Sequence, residues 1–125
     1  MSRILTRLTL LCALVLGACN TPSVPIPPPQ LPALHFAAGP SPGMVVMEGS
    51  PSSTHAGARF YVYNLTSADG VIATAAADGS FTTSPFAGAV NDLVQIYFDT
   101  VDGKRSDFVC VQLQIGFNLF SVSCF

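Results

Sequence analysis

From Met44 onward the apolar residues of this chain recur at every second position, and turn residues cut each run short before a helical repeat can form. Ala58, Phe60 and Val62 alternate with Arg59, Tyr61 and Tyr63. Val94, Ile96 and Phe98 alternate with Leu93, Gln95 and Tyr97, and Val109, Val111 and Leu113 with Phe108, Cys110 and Gln112. A period of two marks a strand with one buried face. Shorter runs at 44–47, 71–75, 80–83 and 117–124 fit the same reading. Between the runs stand Gly49-Ser50-Pro51, Asp69-Gly70, Asp78-Gly79 and Asp102-Gly103, and Asp-Gly between alternating segments is a strong hairpin signal. About seven short strands with closely spaced turns predict an all-β fold, an antiparallel β-sandwich.

The stretch before Met44 follows a different grammar. Pro22, Pro25, Pro27, Pro28, Pro29, Pro32, Pro40 and Pro42 are eight of the ten prolines. Proline fixes φ and has no N–H to donate, so this stretch reads as an extended spacer rather than helix or central strand. His35-Phe36, inside it, reads as incidental. The expected division is a leader over 1–18, a Pro-rich linker over 19–42 and a folded domain over 43–125. A domain of roughly 83 residues has a small core and little stability to spare.

The leader opens with Arg3 and Arg7 and continues into an apolar run from Leu8 to Leu16. That is the charged and apolar order of a secretion signal, too short to span a bilayer stably. Leu16-Gly17-Ala18-Cys19 resembles the lipobox of bacterial lipoproteins. The resemblance implies cleavage before Cys19, a diacylglyceryl group on its thiol, and anchoring to the membrane through the new N-terminus. Asn20, where Asp would signal inner-membrane retention, implies delivery to the outer membrane of the cell envelope.

The domain carries a second resemblance. Gly57-Ala58-Arg59-Phe60-Tyr61-Val62-Tyr63-Asn64-Leu65-Thr66, then Ala77-Asp78-Gly79-Ser80-Phe81, then the segment from Asn91-Asp92 to Asp102-Gly103-Lys104-Arg105-Ser106 are similar, in that order, to elements of bacterial immunoglobulin-like domains. The resemblance implies an immunoglobulin-like sandwich of the kind that serves as stalk, spacer or adhesive module outside the cell. Lys104 stands where that family often has Asn.

Cysteine arithmetic adds a covalent expectation. Cys12 leaves with the leader and Cys19 is taken up by the lipid, which leaves Cys110 and Cys124. An exported pair is normally bridged. A hairpin around Gly116-Phe117-Asn118 would set residues 110 and 124 directly opposite one another, at about 4.5–5.5 Å between Cα atoms, within disulfide reach.

Chemistry beyond this is sparse. Without the leader, Arg59, Lys104 and Arg105 stand against seven acids, a balance of about −4 that argues against a phosphate-tracking surface and so against nucleic acid. The two histidines, His35 and His55, have no Ser or Asp at a spacing that builds a catalytic triad, and no cluster of ligands suits zinc. The chain is expected to be non-catalytic and to need no cofactor. Asp99 and Asp102 are weak calcium candidates, already accounted for by turn geometry. Tyr61, Tyr63 and Tyr97 fall on the outward phase of two strands and form a possible ligand face for a protein or a glycan. The expected function is a non-catalytic envelope lipoprotein displaying a structural or adhesive module. The alternative is an accessory domain that binds a glycan or calcium.

Overall fold

The computed structural model describes residues 24–125, so the leader and Cys19 lie outside the described residues. Among the described residues nine strands form in chain order: β1 Leu34–Ala38, β2 Met44–Gly49, β3 Arg59–Asn64, β4 Asp69–Thr74, β5 Phe81–Thr82, β6 Phe86–Ala87, β7 Leu93–Asp99, β8 Val109–Gln112 and β9 Ser121–Val122. One sheet has β2 at its centre, with β1 on one side and β5 and β6 on the other; the second has the order β4-β3-β7-β8-β9. All these strand pairs are antiparallel. The described residues form no α-helix, only two short 3₁₀ turns at Leu31–Ala33 and Ser53–His55. This is an all-β, two-sheet antiparallel domain with the layering of a sandwich.

The alternating pattern supplies the inner faces. Phe60, Val62, Val94, Ile96, Phe98, Val111 and Leu113 point inward from the five-stranded sheet; Phe36, Val45, Met47, Phe81 and Phe86 meet them from the other. Phe60 stacks on Phe81 with ring centroids 4.3 Å apart. Each such large side chain contributes about 1.5–3 kcal/mol on burial, and the core comprises sixteen buried residues among those described.

The spacer reading fails for much of 19–42. Leu34-His35-Phe36-Ala37-Ala38 is a proline-free window between Pro32 and Pro40, and it pairs along its whole length with β2, Leu34 opposite Gly49 and Ala38 opposite Val45. Leu34 and Phe36 enter the core, Phe36 with no exposed surface. Pro40 and Pro42 belong to the β1–β2 turn, where no ladder donor is needed, and Gly43 supplies the positive φ. Further upstream, Ile26 bridges to Ser106, and its carbonyl accepts the Asp107 N–H at 3.0 Å. The packed body therefore begins well before residue 43.

Two local expectations also change. Asp69-Gly70 is not a hairpin tip but the start of β4; the turn is 65–68, with Ala68 at φ 55. Asn64 holds that turn, its Oδ1 accepting the N–H groups of Thr66 and Ser67 at 3.0 and 3.1 Å. Asp78-Gly79 and Asp102-Gly103 do turn, with glycine φ of 90 and 85. In the tail, Cys110 stands opposite Val122 rather than Cys124. The connection is longer than a tight hairpin because Ile115 bridges back to Phe36 and Leu119 drops into the core.

Candidate functional site

The outer face of the five-stranded sheet carries the aromatic residues that alternation directs outward. Ile72, Tyr61 and Tyr97 face one another across β4, β3 and β7, and Gly70, Tyr63 and Gln95 form the adjacent row. The Tyr61 and Tyr97 rings stack at 4.8 Å with planes 12° apart. Tyr63 lies over Gly70: a Cβ at that glycine would stand 2.8 Å from the Tyr63 ring, so the small residue is what lets the ring lie down. Ile72 is 60% exposed and Tyr63 41%. Together these six residues line a shallow depression.

Arg105 completes the site from outside these strands. Its guanidinium carbon sits 4.9 Å from the Tyr97 ring centre and 5.4 Å from that of Tyr61. Its Nε and Nη2 donate to the two oxygens of Asp99 at 2.9 and 3.2 Å, a two-pronged ion pair. That bonding holds the Asp99 carboxyl below the usual range against the opposing cost of burial, with the Arg105 charge, the Tyr61 hydroxyl and the Arg59 charge helping. The same pair raises the Arg105 guanidinium further above its ordinary value.

A register change brings Arg105 there. Ile96 stands opposite Val109, whereas the Ser106 N–H donates to the Phe98 carbonyl at 2.8 Å and Asp99 bridges to Arg105. Asp107 and Phe108 thus face the single residue Tyr97, which is a β-bulge. Strict alternation from Phe108 would have turned Arg105 inward. The bulge turns it out, and the Ser106 side chain goes inward instead, its hydroxyl accepting the Phe98 N–H at 3.0 Å.

The other candidates separate from this face. Cys110 and Cys124 form a disulfide, with Cα atoms 5.4 Å apart. Cys124 lies two residues beyond Val122, the residue opposite Cys110, and a shift of two keeps it on the same side. The bond points to an oxidising, extracytoplasmic compartment. The Asp99 carboxylate is engaged by Arg105, while Asp102 accepts from the Thr100 hydroxyl and lies 3.8 Å from Lys104. Among the described residues, no three Asp, Glu, His or Cys side chains are grouped to hold a metal.

Two residues passed over in the sequence have definite places. His35 meets Glu48 at 2.8 Å across β1 and β2, with Thr82 opposite Glu48 on β5. The carboxylate stands between imidazole and hydroxyl, which is not the order that lets a histidine take a proton from a nucleophile. His55 is fully buried, edge-on to Phe60 and Phe98 at 4.9 and 5.4 Å. Its loop sequence, Ser52-Ser53-Thr54-His55, carries no periodic signal that could have announced this.

The Tyr61–Tyr97 face offers aromatic surface, phenol hydroxyls, one amide and an internally balanced ion pair, which suit non-covalent recognition. No protein-family model, curated protein or solved structure matches the chain.

Proposed function

We propose that this protein is a lipid-anchored interaction module of the bacterial cell envelope that docks on an envelope partner through the outer face of β4, β3 and β7. The observation that carries the reading is the outer-face row Ile72–Tyr61–Tyr97, in which Ile72 is exposed and the two half-buried tyrosines are clamped from above by Arg105. An aromatic cluster on an outer sheet face whose geometry is held in advance loses little freedom on binding. The lipobox-like Leu16-Gly17-Ala18-Cys19 supports the anchor, and the disulfide supports export. An immunoglobulin-like fold is supported by the connectivity: strands one, two and five share a sheet, while three, seven and eight share the other.

The test is a photo-crosslinking residue at Ile72 in the intact envelope, with the same residue at Val46 on the other sheet as control. A discrete adduct from position 72 alone supports the reading. No adduct, or equal adducts from both positions, overturns it. A second reading, glycan recognition, is favoured by the same rings; a glycan array probed with wild type and Tyr61→Ala separates it from protein docking.

A further inference from the structure

His55 is a buried imidazole that acts as a hydrogen-bond acceptor. Its Nε2 lies 3.2 Å from the backbone nitrogen of Gln30, and a backbone N–H only donates. Nε2 therefore carries the lone pair and Nδ1 carries the proton. Nδ1 is itself buried with no partner. The rings of Phe60 and Phe98 pack edge-on against the imidazole.

Gln30 is gripped by the same loop through its side chain. Its Nε2 donates to the Thr54 hydroxyl at 3.2 Å, and its Oε1 accepts from the Ser52 hydroxyl at 3.4 Å. Gln30 sits at the end of the segment 24–30, just before the Leu31–Ala33 turn and β1. Here the chain leading into β1, already attached upstream at Ile26, is fixed to the Ser52–His55 loop.

We infer that His55 and Gln30 form an acid-releasable latch, which closes segment 24–33 onto the sandwich at neutral pH and lets it go when the imidazole is protonated. An imidazolium would aim an Nε2–H at the Gln30 N–H, donor against donor, with no acceptor at Nδ1 to take the charge. No charged side chain faces the ring from the elements around it. Segment 24–33 contains no titratable residue, and Ser52, Ser53 and Thr54 are neutral. Arg59 on β3 and Asp99 on β7 alternate to the opposite side from Phe60 and Phe98, and the Asp78 carboxylate is occupied by Ser80. Burial accordingly lowers the His55 pKa from its ordinary 6.5. The other holds on the segment, which protonation must outweigh, are the Ile26 contacts with Ser106 and Asp107, the packing of Ile26, Pro29 and Leu31, the two Gln30 side-chain bonds and the Ser50 N–H donating to the Ala33 carbonyl at 2.8 Å, whereas β1 stays paired with β2. Release would free a chain of about ten residues, adding roughly 30 Å of reach between the N-terminus and the domain at 3.1 Å per residue.

Hydrogen exchange of the full chain, read by mass spectrometry from pH 7.5 to 5.0 and corrected for intrinsic rates, tests this. Protection of residues 24–33 should fall up to tenfold per pH unit below 6.5, while protection of β3 and β7 holds. His55→Gln keeps an acceptor that does not titrate and should make segment protection independent of pH. The inference is overturned if the wild-type segment shows no pH dependence, if β3 and β7 lose protection in parallel, or if His55→Gln keeps the wild-type profile.

Discussion

Tyr61 and Tyr97 stand directly opposite each other on β3 and β7, and their stacked rings share one guanidinium, that of Arg105. The pair should therefore be energetically coupled. In a double-mutant cycle with Tyr61→Ala and Tyr97→Ala, followed by urea unfolding, the coupling should be about 0.5–1.5 kcal/mol. Strictly additive losses would mean that the stack contributes nothing beyond the area it buries.

Phe36 tests where the domain begins. It is fully buried and meets Phe86 edge-on at 6.3 Å. Phe36→Ala should cost about 3–5 kcal/mol, the range for truncating a core phenylalanine. A fragment starting at residue 24 should unfold cooperatively, whereas one starting at residue 43 lacks β1 and should not. Equal melting of the two fragments would restore the spacer reading.

The two Asp-Gly turns should respond differently to alanine. Both glycines have positive φ, but Gly103 has open space around its missing Cβ, while at Gly79 a Cβ would run into the Ser52 carbonyl oxygen. Gly103→Ala should cost about 1–2 kcal/mol for the left-handed backbone alone. Gly79→Ala should cost roughly 1–3 kcal/mol more, since backbone must move. Denaturant midpoints of the two variants decide it, and similar values would remove the steric argument.

Acid should loosen the tyrosine clamp before it unfolds the domain. Asp99 has its carboxyl lowered by Arg105, so the folded state holds the ionised form more firmly than the unfolded state does. Its contribution is then complete above the ordinary value of 3.8 and is lost as pH falls through the lower, folded value. Near-ultraviolet circular dichroism of Tyr61 and Tyr97 should change in that window in wild type and not in Asp99→Asn. The same transition in both would place the titrating group elsewhere.

Much of the architecture is legible in residues alone, because a buried strand face needs nothing but a period of two. Val94, Ile96 and Phe98 are inward as the alternation predicts, on the strand Leu93–Asp99. The Cys110–Cys124 bond is the pairing expected when Cys12 is read as part of a leader and Cys19 as a lipidation site. What the alternation could not supply was any event that breaks it. The strand Leu34–Ala38 hides among prolines because its five residues are too few to outweigh their neighbours, and only pairing with β2 makes it a strand. The bulge at Asp107 and Phe108 shifts the phase by one, so Arg105 reaches the tyrosines on a face that counting forbids. His55 is buried by Phe60, Phe98 and Gln30, which come from three separate stretches of chain. Local sequence determined which residues want to be inside. Contacts between distant segments decided where the pattern slips, and both the tyrosine clamp and the histidine contact depend on such contacts.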